Sequence, residues 1–155
     1  MKNCTGKKDT PSIRQMTEKA IDLLDDNEEG FFLMVEGACI DKFSHKNMFH
    51  GATMNLVEFD KAVQYALDYA KADGDTLVVV TADHETGGIK YNESTDEYYY
   101  TTKNHTTADV PVYVSATDAG FTDGKTVENR QISVQIARVM GYGKEKFPAV
   151  KGYTM

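Results

Sequence analysis

The chain has 155 residues, 41% hydrophobic and 26% charged, with a formal net charge of −7 and a pI of about 5.0. That is ordinary globular composition, which excludes a disordered tail, a collagen-like fibre and a disulfide scaffold and favours one domain. No apolar run approaches the roughly 18–20 residues of a membrane span, and no basic face signals a nucleic-acid partner; anionic substrates stay open, because a bound divalent cation inverts the local field.

Residues 1–9 lack an apolar stretch and read as a flexible start with no signal peptide. Cys4 and Cys39 stand in no spacing that signals a disulfide framework or a cysteine-ligated zinc. Thr10 is the expected cap of a first helix, with Pro11 in its first turn. Ile13, Met16, Ala20, Ile21, Leu23 and Leu24 form its apolar stripe, and the stretch Asn27 to Gly30 ends it. Phe31-Phe32-Leu33-Met34-Val35 predicts a strand buried on both faces. A polar loop follows, in which His50 reads as a solvated residue.

A second helix is expected from about Asn55 to Ala72, stopped by Asp73-Gly74-Asp75. Thr76 to Thr81 predicts a second buried strand. The polar, tyrosine-rich stretch from Ile89 to Lys103 predicts a hairpin, with a structural role for Tyr98-Tyr99-Tyr100. Val110 to Ser115 predicts a third strand, with Pro111 at its start or on an edge. A last helix is expected from about Thr126 to Met140, ending at Gly141. Strands separated by helices argue for an α/β fold with a mostly parallel sheet flanked by helices. The organisation expected is a core over 10–140 and a tail over 141–155.

Three clusters carry chemistry. Glu36 follows the first strand, and Asp41 and His45 are spaced to share one face of a helical turn. Asp83 and His84 follow the second strand. His105 precedes the third. In open α/β sheets, ligands sit outside the carboxyl ends of the strands. Mixed imidazole and carboxylate suits zinc, whereas an all-oxygen site suits magnesium. A carboxylate such as Glu36 is costly to bury there unless it is paired or bound to metal.

Phe32 to Asp41 followed by His45 resembles the VEGxxID-x3-H segment of alkaline phosphatases. Thr76-Leu77-Val78-Val79-Val80-Thr81-Ala82-Asp83-His84-Glu85-Thr86-Gly87-Gly88 resembles that family's TLVVVTADH block, with the Glu85-Thr86-Gly87-Gly88 ending favouring the phosphatase over a mutase, and His105-Thr106 resembles the family's late His-Thr. The resemblance implies the C-terminal half of that family's fold. It implies Glu36 as a magnesium ligand, Asp41, His45 and His105 around one zinc, and Asp83 and His84 on a second. It further implies a phosphate monoester substrate, inorganic phosphate as product, a periplasmic or secreted location and a possible homodimer. The family's serine nucleophile belongs to an N-terminal half that this chain does not contain, and Ser12 and Ser44 lie in the wrong contexts to replace it. The piece alone is therefore expected to be inactive. The alternatives are a metal- or phosphate-binding module without catalysis and a piece of a phosphoglycerate-mutase-like metalloenzyme.

Overall fold

The computed structural model describes residues 10–116 and 126–142. The expected flexible start and, beyond Tyr142, the expected tail lie outside the described residues.

Helix α1 spans Ile13–Leu24. Its cap is Ser12 rather than Thr10, because Ser12 and Gln15 satisfy each other: the Gln15 N–H donates to Ser12 Oγ at 3.2 Å, and the Ser12 N–H donates to Gln15 Oε1 at 2.9 Å. This reciprocal pair is a capping box. Residues 31–35 are not a strand among the described residues. Their burial alternates, with Phe32 and Met34 60% and 77% exposed, which is the period-two pattern of an extended chain. Among the described residues, the backbone of 31–36 makes no hydrogen bond to other backbone, so the expected strand lacks a neighbour to pair with.

The expected loop contains helix α2, Ala38–Ser44. Helix α3 spans Phe49–Asp73 and ends on Gly74 at φ +83°, the left-handed conformation that glycine adopts without penalty. It begins six residues before the expected Asn55, so His50 lies in its first turn, exposed. Alanines carry the close packing of α3, where Ala52, Ala62 and Ala70 are buried, and the helix packs against both α1 and α2. At Gly51 a Cβ would sit 2.4 Å from Phe43 Cδ1, so helices α2 and α3 meet where a side chain has no room. Cys39 is disulfide-bonded, which the cysteine spacing did not signal.

The strands are short and antiparallel. Strand β1 (Val79–Thr81) pairs with β6 (Val112–Val114) in the register Val79 to Val114, Val80 to Tyr113 and Thr81 to Val112. This corrects the expected parallel arrangement. A parallel pair needs a crossover that carries the chain back, usually a helix. Between β1 and β6 the chain instead forms β2 (Glu85–Thr86), a hairpin of β3 (Lys90–Asn92) and β4 (Glu97–Tyr99), and β5 (His105–Thr106). Pro111 immediately precedes β6, where its missing N–H costs no ladder bond. The hairpin leans on α3 by stacking Tyr98 on Phe49, with centroids 5.2 Å apart. Helix α4 spans Asn129–Val139, slightly shorter than expected.

A tie between α1 and α3 has a pH signature. The Tyr69 hydroxyl on α3 donates to the Asp25 carboxylate at the end of α1. That bond, more than burial, pushes the Tyr69 phenol up to about 12. A raised phenol keeps its proton in the folded state after the unfolded chain has lost it. The stabilisation is therefore complete below about pH 10 and disappears as the pH rises through about 12. The urea midpoint of Tyr69→Phe should fall below that of the unmodified chain at pH 8, and the gap should close towards pH 12. A gap that does not change with pH would contradict the assignment.

Candidate metal centre

Helix α2 positions the first two donors. Ala38, Ile40 and Phe43 supply helix-compatible packing, the Ser44 hydroxyl folds back onto Ile40 O at 2.9 Å, and Asp41 lies in the first turn, where a carboxylate is favoured by the helix dipole. Asp41 and His45 are then one turn apart on the same face.

His105 arrives from β5, sixty residues downstream of His45. Strand β5 is held against β2 in a register that sets Thr86 opposite His105 and Glu85 opposite Thr106. Asp41, His45 and His105 each present one donor atom, all within 4.8 Å of one another. His45 Nε2 is 3.0 Å from His105 Nε2. Asp41 Oδ1 is 3.3 Å from His45 Nε2 and 3.5 Å from His105 Nε2.

The hydrogens decide what this cluster is suited for. His45 Nδ1 lies 2.5 Å from the carbonyl oxygen of Lys103. A carbonyl can only accept, so Nδ1 carries the hydrogen and the neutral ring presents its lone pair at Nε2. An ionised Asp41 is also acceptor-only. Of the three, only His105 can place a hydrogen into the gap. Three donor atoms with one hydrogen between them are matched by a cation. Zinc holds nitrogen and oxygen ligands at about 2.0–2.2 Å in tetrahedral array, which sets ligand atoms roughly 3.3–3.5 Å apart. The observed separations of 3.0 to 3.5 Å fit that array. The side chains are 38–48% exposed, leaving one side open to solvent.

A second pair adjoins the first. His84 Nε2 is 3.2 Å from Asp83 Oδ2, and the His84 ring stacks on that of His105 with centroids 3.4 Å apart. Five of the six residues singled out in the sequence thus gather in one place. Glu36 is apart from them: it is exposed and lines a groove with Ile13, Met16, Thr17 and Ala20 of α1.

The sequence motif includes Glu85-Thr86-Gly87-Gly88 but assigns these residues no part in holding the cluster, which the structure gives them. Thr86 donates to Asp41 Oδ1 at 2.7 Å. The Glu85 carboxylate accepts the N–H groups of Gly88 at 3.1 Å and Ile89 at 3.3 Å, and the hydroxyl of Thr106. It clamps the Gly87-Gly88 turn to β5. Both glycines have positive φ, and a Cβ on Gly88 would sit 2.1 Å from Thr101 Oγ1. Tyr100 packs over Gly87, the structural role expected of the tyrosine run. The signals in the sequence were the motif itself and its position directly after the Asp-His pair.

The alkaline phosphatase family model matches residues 1–100. Alkaline phosphatase H of Pseudomonas aeruginosa (strain UCBPP-PA14) is 59% identical over 76 residues, which are 49% of this chain and 16% of that protein. The solved structure of alkaline phosphatase from the Antarctic bacterium TAB5 aligns with a TM-score of 0.72 at 32% identity, covering 85% of this chain and 41% of that one. A variant of the same enzyme with magnesium bound in its M3 site aligns with a TM-score of 0.73 at 27% identity, over 93% of this chain and 45% of that one. The chain therefore spans less than half the length of each.

Glu85 is expected to govern the local order of this loop cluster. Replacing Glu85 by Ala strands three donors and should speed amide hydrogen exchange across 84–106 by at least about tenfold, since hydrogen bonds to a charged acceptor contribute about 1.5–3 kcal/mol. Unchanged protection at Gly88 and Ile89 would contradict the clamp.

Proposed function

The chain belongs to the alkaline phosphatase family, and from that premise we propose that it is the C-terminal part of a zinc- and magnesium-dependent hydrolase of phosphate monoesters. The observation that carries this reading is the convergence of Asp41, His45 and His105. These three would hold one zinc. Asp83 and His84 would supply two ligands of a second, and Glu36 a carboxylate of the magnesium site. Bound, the metals would supply charge neutralisation and Lewis acidity at the phosphoryl group. The chain's own part is positional. The Lys103 carbonyl keeps His45 Nε2 free for metal, and the β2–β5 pair brings His105 to α2.

The reading also names a partner. The family's nucleophile lies in a part that this chain lacks, so positioning is left without covalent catalysis. The face exposed for that part is the 31–36 segment, whose backbone has no backbone partner among the described residues and whose Phe32 and Met34 are exposed. An unpaired apolar strand edge templates further pairing. The neighbouring structures, more than twice as long as the part this chain covers, supply an occupant of the right kind: the remainder of the family fold. Docking there would also complete the surroundings of Glu36. A periplasmic or secreted location suits the disulfide-bonded Cys39, because such bonds persist in oxidising compartments. No helix among the described residues is long and apolar enough to cross a membrane.

Two measurements test this. Isothermal titration of the 155-residue chain should find a zinc site that weakens in His105→Ala by at least about 10–100-fold, the cost of losing a mere ligand-orienting partner. Equal affinity in the variant would contradict the ligand set. Hydrolysis of p-nitrophenyl phosphate with added zinc and magnesium should be absent for the chain alone and appear on co-expression with the N-terminal part of a family member. Turnover by the repurified chain alone would overturn the division of labour.

A further inference from the structure

Thr86 sits where the two metal positions meet. It is 9% exposed, it lies opposite His105 in the β2–β5 register, and its Oγ1 is 2.7 Å from Asp41 Oδ1 and 3.2 Å from His84 Nδ1. One hydroxyl therefore touches a side chain from each of the two ligand groups and is fixed by backbone pairing to a third residue. A threonine on a strand is restricted at χ1, so its hydroxyl has little freedom to turn away.

The hydrogen count makes this contact directional. A hydroxyl carries one hydrogen and two lone pairs. Ionised Asp41 can only accept, so the Thr86 hydrogen goes to Asp41 Oδ1. The contact with His84 then runs the other way: His84 Nδ1–H donates to Thr86 Oγ1. Neutral His84 is left with its lone pair at Nε2, the nitrogen 3.2 Å from Asp83 Oδ2. On the Asp41 side, the hydroxyl occupies one lone pair of Oδ1 and leaves the other towards His45 and His105.

We propose that Thr86 is a positioning residue that couples the two zinc positions, setting the His84 tautomer and the Asp41 carboxylate through a single hydroxyl. The inference rests on the zinc reading given above and adds to it a residue that binds no metal itself. Loss of the hydroxyl disturbs both positions together: His84 becomes free to place its hydrogen on Nε2, and Asp41 becomes free to rotate out of the gap.

The test compares Thr86→Val, which keeps the branched shape without the hydroxyl, with Thr86→Ser, which keeps the hydroxyl. Zinc affinity of the full chain is read by chelator competition, and the His84 tautomer by 15N imidazole spectra of the metal-free protein. The unmodified chain should show His84 protonated at Nδ1. Thr86→Val should lose about 10–100-fold in zinc affinity, the range for ligand-orienting partners, and show a mixed His84 tautomer. Thr86→Ser should stay within about threefold of the unmodified chain. Val affinity within about threefold, or His84 protonated at Nε2 in the unmodified chain, would overturn the proposal. If Thr86→Val fails to fold, the tautomer in the unmodified chain decides. If the unmodified chain binds no zinc at all, the metal reading fails, while the His84 tautomer still decides the role of Thr86.

Discussion

The proposed metal centre depends on where one hydrogen sits on His45. The Lys103 carbonyl claims Nδ1, so Nε2 faces Asp41 and His105 as a bare lone pair. Were the ring turned over, its N–H would point into the gap and satisfy Asp41 by an ordinary hydrogen bond. The cluster would then be a surface ion pair of small consequence. With the carbonyl in place, His105 alone of the three side chains can place a hydrogen into the gap, and the cluster suits a divalent cation.

That constraint explains why so much local structure is devoted to a few loops. The carbonyl of residue 103 must reach α2, and the loop that carries it is held by Gly87, whose carbonyl accepts the N–H groups of Thr101 and Thr102 at 3.0 and 3.1 Å. Gly87 in turn donates to Asn104 O at 3.0 Å. Glycine is required at this corner, since φ there is +99° and the Tyr100 ring lies directly over the position a Cβ would take. The Thr-Gly-Gly stretch after the Asp-His pair is thus a hinge pin for the loop that orients His45, rather than a ligand itself.

The long helices were legible from the sequence because their signal is repeated: α1, α3 and α4 each show apolar residues at helical spacing over several turns. Helix α2 was not, since seven residues with Asp, Lys and Ser among them give too few turns for a period to appear. The run over 31–35 shows the opposite failure. Its composition reads as a central strand, yet a strand is defined by a neighbour, and pairing is absent from its own residues. The antiparallel pairing of β1 with β6 was hidden for a related reason, because strand direction is set by the connection and not by the strand.

The convergence of Asp41, His45 and His105 with Asp83 and His84 was legible through three short motifs and their order, and the alternative of a mutase-like metalloenzyme gives way to the family match over residues 1–100. The role of the donors' supports was not legible, although Glu85 and Thr86 stand in one of the motifs. Thr86, Glu85 and the carbonyl of Lys103 act through tertiary contacts that no spacing rule encodes, and a backbone carbonyl has no residue signature at all. The most direct test of the central claim is a crystal of the chain grown with zinc, measured on both sides of the zinc absorption edge. The account predicts an anomalous peak bonded to Asp41 Oδ1, His45 Nε2 and His105 Nε2, with His45 Nδ1 still on the Lys103 carbonyl. A well-ordered α2 and β5 with zinc bound elsewhere, or through His45 Nδ1, would contradict it.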